Sequence, residues 1–391
     1  MKVVGLMSGT SGDGVDAALV EIRGGAPALR VQLLAHTAVP YPSSLQQRVV
    51  STGLSGTVRD VCHLNAALGE MFARAALQVI KKAGVSPRDV ALVGSHGQTV
   101  HHLPQGLSEP GLGRIRSTLQ IAEPAIIAER TGVTTVANFR PRDMAVGGEG
   151  APLAPYAHAV LLHHPTRARL IVNLGGISNV TYVPPQGSLR GVRAFDAGPA
   201  NMVSDGIMHR TSRGRLRMDR GGRLALRGQV QPGLLRLMMK HPFLARRPPK
   251  STGREEFGGP FLDRIFREAA RRDVSREDLL ATAAQFVAEA LRGALRWLPG
   301  PVAEVFVAGG GVHNRAVMQA LQRVFGNVPV RQLDDLGWNS QALEAVAFAI
   351  FAYQTIHGET ANIPSVTGAR VPVVMGQIVP GRKGAGRWLV G

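Results

Sequence analysis

An apolar, strand-like run that halts at a cluster of small residues and then resumes recurs along this chain, and that rhythm restricts the fold more than any other feature. In its first instance MKVVGLM and DAALVEIRG flank a glycine-rich stretch, a spacing that predicts a β-hairpin. A third strand over LRVQLLAHTAVPY follows. The next stretch, DVCHLNAALGEMFARAALQVIKKAGV, predicts a helix: apolar residues recur at helical intervals, Lys81 and Lys82 fill the last turn, and Gly84 closes it. DVALVGSHGQTV reads as a buried strand running into a polar turn. At ARLIVNLGGISNVTYVPP the rhythm starts again, and VRAFDAGPANMVSDGIM and AEVFVAGGGVHNRAVMQALQRVF each read strand, turn, helix. Such alternation predicts mixed α/β layers. The expected organisation is two halves, 1–168 and 169–391, with the last helix a candidate to cross back onto the first half.

A chain of 391 residues is too long for one ordinary core, and 45% apolar with 18% charged residues is a globular balance. The amino terminus lacks the apolar core of a signal peptide, and no run approaches the roughly 18 apolar residues of a membrane span. Cys62 is the sole cysteine, which excludes an intrachain disulfide and a cysteine-based metal cluster. These features together predict a cytoplasmic protein. The net charge of +18 invites a nucleic-acid reading. Only six of the 45 cations are lysine, however, and the arginines are scattered, densest over Arg210–Arg223. No helix-turn-helix, zinc-finger or RNP pattern accompanies them. Solvated arginines and attraction for anionic substrates account for the charge, and nucleic acid is not the expected partner.

The first turn, SGTSGDGV, is not a P-loop: no lysine follows Gly14, and a strand rather than a helix comes next. Its amides (Gly9, Thr10, Ser11, Gly12, Gly14, Val15) are candidates for an anion-binding nest for ATP, and Asp13 or Asp16 for Mg²⁺ reached through water. Two later turns are of related character. FDAGPANM sets Asp196 after a strand, with Gly198 and a proline suited to a helix start. VAGGGVHN places Gly309, Gly310 and Gly311 between strand and helix, where side chains would obstruct a base or ribose. Glycine-rich strand ends spread over two halves resemble the actin/hexokinase/Hsp70 class of phosphotransferases. That resemblance implies a two-domain actin-like ATPase fold with nucleotide in the interdomain cleft.

GLMSGTSGDGVD, GSHGQTVHHLP, NFRPRDMAVGGEGAPLAP, NLGGISNVT, FDAGPANMVSD, PPKSTGREEFG, VAGGGVHN and IPSVTGA, in that order, resemble the signature blocks of anhydro-N-acetylmuramic acid kinases. The resemblance implies a cytoplasmic, dimeric enzyme of cell-wall recycling. Such an enzyme uses ATP and water to convert 1,6-anhydro-N-acetylmuramic acid into N-acetylmuramic acid 6-phosphate. The bridged sugar has no free 6-hydroxyl, so water must open the bridge at the anomeric carbon while O6 takes the γ-phosphoryl group. That requires a general base and a positively charged phosphate cradle. In the family the Asp of the FD-x-GP block is the base, which points to Asp196. Arg140 and Asp143 would lie near the sugar, with His96, Gln98 and Glu344 as further sugar contacts, and Lys250 or Arg254 would contact substrate or stabilise the closed state. Metal ligation by the adjacent pairs His101–His102 and His163–His164 is not expected, because neighbours in sequence point apart. The chain departs from the family pattern at Asn138, Glu149, Ala197 and Ala200. The competing readings are another sugar kinase of the same fold, a non-enzymatic nucleotide switch, and a glycosidase, which would leave the glycine turns unexplained.

Overall fold

The computed structural model describes residues 1–9, 12–25 and 29–382. Thr10, Ser11 and the basic tail from Lys383 lie outside the described residues. The chain divides into two compact units, one of Met1–Leu161 with Gln341–Gly391 and one of Leu162–Ser340. The first break falls at residue 161, and the last long helix, Leu343–Ile356, belongs to the first unit.

In the first unit β1 (Lys2–Ser8) and β2 (Gly14–Arg23) form the expected hairpin, paired from Lys2↔Glu21 to Met7↔Asp16. β3 (Arg30–Pro40) adds to β2 antiparallel. On the other side β1 runs parallel to β4 (Leu92–Glu109), which pairs with β5 (Gly113–Ile121) and β6 (Thr135–Ala137). The strand Gln377–Val379 closes that edge, making a mixed sheet of seven strands among the described residues. Strand alternation sends Val4 and Leu6 one way, into a core with Leu64, Leu68, Phe72 and Val79 of the helix Val58–Lys82. That helix starts at a reciprocal capping box between Thr57 and Asp60, as an exposed Thr-x-x-Asp entry favours.

Gly5 points the other way and meets the C-terminal helix Leu343–Ile356: a Cβ there would lie 1.8 Å from the Ala345 carbonyl oxygen. Gly94 on β4 is as tight, 2.0 Å from the Phe348 carbonyl oxygen. The helix lies backbone-to-backbone on the sheet, and Ala345 through Tyr353 are buried.

In the second unit β7 (Arg169–Leu174), β8 (Ile177–Val183), β9 (Arg193–Pro199), β10 (Glu304–Ala308) and β11 (Val330–Gln332) form a sheet in the order β11-β10-β7-β8-β9. β7, β10 and β11 are parallel, whereas β8 and β9 join as antiparallel neighbours, leaving β9 at a free edge. Val172, Leu174, Val305 and Val307 enter a core with Val203, Phe286 and Leu291 from the helices Asn201–Thr211 and Arg276–Ala294. A buried Arg169–Glu304 pair at 3.0 Å, joined by Arg167 at 2.7 Å, ties the starts of β7 and β10. The strand–turn–helix reading of VAGGGVHN holds: Asn314 caps the helix Arg315–Phe325 by accepting from the amides of Ala316 and Val317. Among the described residues no helix is long and apolar enough to cross a membrane.

Candidate active site

The first glycine-rich turn is braced from beneath. Gly12 adopts φ +59°, which favours glycine, and its amide donates to Gly9 O at 3.1 Å. Gln98 is almost fully buried. Its Nε2 donates to Gly9 O at 3.0 Å, and its Oε1 accepts from Ser8 Oγ at 2.6 Å. Tyr41 donates to the same Ser8 oxygen at 3.0 Å, and its burial keeps the phenol protonated well above the usual range. Gln98 therefore holds the turn in place, and its amide is committed to protein groups. Asp16 pairs with His36 at 3.2 Å, whereas Asp13 is exposed beside Gly12. Of the other residues expected to bind ATP here, Gly14 and Val15 begin β2, and Thr10 and Ser11 lie outside the described residues.

Arg140 and His96 join beside this turn, with Glu344 within electrostatic reach of Arg140 and Asp16. Phe139 packs on Phe348 and Phe351 at 5.6 and 5.7 Å, and His96 stacks on Phe348 at 4.7 Å. Arg140 donates through Nε and a terminal nitrogen to His96 Nε2, at 3.0 and 2.9 Å, and through the other to Gly150 O at 2.8 Å. An imidazole that accepts at Nε2 carries its proton on Nδ1, which donates to Gly97 O at 2.9 Å. Burial and the Arg140 charge hold His96 neutral, well below its usual range. Burial also brings the Arg140 pKa down to about 10, opposed by Glu344, so the guanidinium stays cationic at neutral pH with donors to spare. Glu344 is shifted up by the protein packed round it and by Asp16, with Arg140 opposing; solvent still reaches it, which moderates the shift.

Asp143 does not join this group. It is fully buried: Oδ1 accepts from Asn362 at 2.7 Å and Thr367 at 2.8 Å, and Oδ2 from the Gly150 amide at 2.9 Å. A Cβ on Gly148 would come within 2.0 Å of its carboxylate. Asp143 therefore ties the loop carrying Arg140's partner Gly150 to the returning C-terminal segment. Beside His96 lies a cavity of about 290 Å³ lined by Ser95, Gly97, Gln120, Asn138 and Cys62 among others.

In the second unit Asp196 lies within β9 rather than after it. Its amide points out from the free edge and donates to Lys250 O at 3.1 Å, and Oδ2 accepts from the Thr252 amide at 2.9 Å. Burial raises the Asp196 pKa from 3.8 to about 6, with the Thr252 hydrogen bond and Lys250 opposing and Glu255 adding. The carboxyl ends of β7, β9 and β10 and the start of β8 share one edge of the sheet, the usual ligand side of such an arrangement. There the amides of Ala200 and Met202 donate to Gly176 O, and that of Asn201 to Gly175 O. Gly309 at φ +81° and Gly311 are hemmed by Asn173 and Leu174, and Gly310 is exposed 3.9 Å from Asn201 Nδ2 as measured from a Cβ built upon it. The strand-end turns thus converge within this unit. Gly198 is buried against Leu244 and Ala290, so its bareness serves packing. Gly175 and Gly176 belong to this cluster but were absent from the sequence-derived candidates, although NLGGISN carries the same strand–turn rhythm.

Comparison with known proteins bears on this arrangement as a whole. A family model described as anhydro-N-acetylmuramic acid kinase matches residues 1–381. The chain belongs to the anhydro-N-acetylmuramic acid kinase family. It is 45% identical over 381 residues to the anhydro-N-acetylmuramic acid kinase of Caldanaerobacter subterraneus subsp. tengcongensis, covering 96% of each chain. It is 41% identical over 386 residues to that of Bacillus thuringiensis subsp. konkukian, covering 97% of this chain and 99% of the relative. Among solved structures it is similar to a ROK family glucokinase from Streptomyces griseus in complex with glucose and AMPPNP. That match has 15% identity and a TM-score of 0.40, over 90% of this chain and 100% of the other.

The four positions expected to depart from the family pattern differ in their surroundings. Asn138 is at φ +56°, a conformation Asn and Asp both accept, and its amide reaches Gln377 Oε1 at 2.9 Å. Ala197 and Ala200 are buried, and Glu149 is half-buried with its pKa raised by burial.

Proposed function

We propose that this kinase opens 1,6-anhydro-N-acetylmuramic acid with water and phosphorylates O6 from ATP, and that Asp196 is the general base. The half-buried Asp196 carboxyl carries the reading: a base with a pKa of about 6 is ionised at neutral pH yet still avid for a proton. Asp196 takes the proton of the water that attacks the anomeric carbon, and the Thr252 amide holds the carboxylate's other edge. Arg140, oriented by His96 and Gly150 with donors left over, binds the acidic side of the sugar, and Glu344 a hydroxyl. His96, Gln98 and Asp143 support these loops rather than touch the sugar, since their polar atoms already have protein partners. The turn Gly9–Asp16 takes nucleotide phosphates, and the Gly175–Gly176 and Gly309–Gly311 turns admit the rest of the nucleotide.

Mg²⁺ fits this set. Among the described residues no three or more His, Cys, Asp or Glu side chains gather for a metal. A magnesium ion carried on phosphates needs only one or two carboxylates, and Asp13 is exposed at the first turn. When bound it neutralises phosphate charge. Following the family resemblance, the enzyme acts as a homodimer in the cytoplasm, in cell-wall recycling, with no nucleic acid or membrane partner. The test is incubation with ATP, Mg²⁺ and the anhydro sugar in ¹⁸O-water. Label at C1 of a 6-phosphorylated product is the expected result, and ADP release that ignores the sugar rejects the reading.

A further inference from the structure

The free edge of β9 is covered at one point by the segment Lys250–Thr252. Two hydrogen bonds to the segment's main chain bracket Asp196, its amide donating to Lys250 O at 3.1 Å and its Oδ2 accepting from the Thr252 amide at 2.9 Å. A short strap of this kind needs an anchor. Ser251 is exposed, and the Thr252 hydroxyl is buried with no partner, so neither side chain fastens it. Lys250 does. Its Nζ donates to Phe243 O at 3.2 Å and sits over the Phe243 ring at 4.5 Å and the Phe195 ring at 5.9 Å, so one ammonium bridges the floor of the strap and the residue preceding Asp196.

We propose that Lys250 is a positioning residue for the base, its ammonium on Phe243 fixing the strap whose main chain holds the Asp196 carboxylate. This rests on the reading of Asp196 above. Asp196 is faced by two charged groups, Lys250, which favours the ionised carboxylate, and Glu255, which opposes it. Lys250 in turn is faced by Arg246 and Arg296 as well as Asp196, and burial with these arginines brings it to about 8. Arg246 is itself held by Glu256 at 2.5 Å, and Arg296 by Leu244 O at 2.7 Å, and Lys250 is, among the described residues, the one cation that acts on the Asp196 carboxylate.

The experiment has two arms on the full chain. In the first, protein labelled with ¹³Cγ-aspartate is titrated by NMR, the Asp196 signal being identified by its loss in Asp196→Asn. The parent is expected to titrate near 6 and Lys250→Met about one pH unit higher, with Lys250→Arg close to the parent. Should Lys250→Met not fold, Lys250→Gln carries the same comparison. In the second arm, sugar-dependent ADP release by Lys250→Met is expected to lose tenfold or more in kcat with KM little changed, and the acid limb of kcat moves with the NMR midpoint. Titration of Asp196 unmoved by the loss of Lys250 overturns the inference, even if thermal stability falls. A parent with no sugar-dependent ADP release defeats the proposed function instead, and the NMR arm still decides on Lys250.

Discussion

A carboxylate that must take a proton from water at neutral pH works best when its pKa is near that pH, and burial brings Asp196 to about 6. Activity should therefore fall as pH drops through about 6, where the base becomes protonated, and Asp196→Asn should lower kcat about 10²–10⁴-fold while leaving substrate binding near normal. Steady-state kinetics with the anhydro sugar check both, and turnover by Asp196→Asn close to the parent's would remove it from the chemistry. The same shift has a cost in stability. The folded state holds this proton more tightly than the unfolded chain, so the contribution is complete below pH about 4 and is lost as pH rises through about 6. Asp196→Asn keeps the shape without the charge, and its thermal midpoint is expected above the parent's at pH 8 and no higher at pH 4. Asp196 stood out in the sequence because one short block, FDAGP, carries both the acid and the adjoining glycine. Gln98 and Asp143 were ambiguous in the sequence, because a polar side chain next to a turn reads alike whether it faces a ligand or braces the loop. Only the commitment of Asp143's oxygens to Asn362, Thr367 and Gly150 distinguishes the two.

At the scale of elements, the pattern of apolar runs and glycine turns predicted the β1–β2 hairpin, the helix Val58–Lys82 and the strand–turn–helix at Gly309. It did not show what Gly5 and Gly94 do, since a glycine inside a strand carries no label for the backbone that will approach it. Both let the helix Leu343–Ile356 lie directly on the sheet, with contact to helix carbonyls rather than to pliable side chains. Gly5→Ala is accordingly expected to destabilise the protein by about 3 kcal/mol. Gly293, exposed in the helix Arg276–Ala294 with open space around it, should behave oppositely, Gly293→Ala adding about 0.5–1 kcal/mol. Urea denaturation midpoints decide the two signs. A neutral Gly5→Ala would mean that the helix stands further from β1 than the structure has it. Asp196 illustrates the same limit from the other side. Its place inside an edge strand, rather than beyond the strand's end, follows from pairing with β8 that the local sequence does not encode.

For the whole molecule the decisive fact is that one unit is continuous in sequence and the other is not. Leu162–Ser340 contains every strand of its own sheet, whereas Met1–Leu161 is completed by the chain from Gln341. The restart of the strand rhythm marked a division of the chain, and the helix Leu343–Ile356, uniformly apolar over 345–353, was a candidate to cross back, but the rhythm did not show which sheet face it would cover. The returning segment supplies the helix over Gly5 and Gly94, the Phe348 and Phe351 rings that seat His96 and Phe139, and the Asn362 and Thr367 bonds to Asp143. Without it a sheet face and a buried carboxylate would be bare, each a large loss against a net stability of about 5–15 kcal/mol. Residues 162–340 expressed alone are thus expected to unfold in one cooperative transition with dispersed amide resonances. Residues 1–161 alone are expected to lack one, and to regain it when joined to 341–382 through a flexible linker. A cooperative transition in 1–161 by itself would show that the C-terminal helix decorates a finished core, and that Gly5, Gly94 and Asp143 fasten an ornament rather than complete a fold.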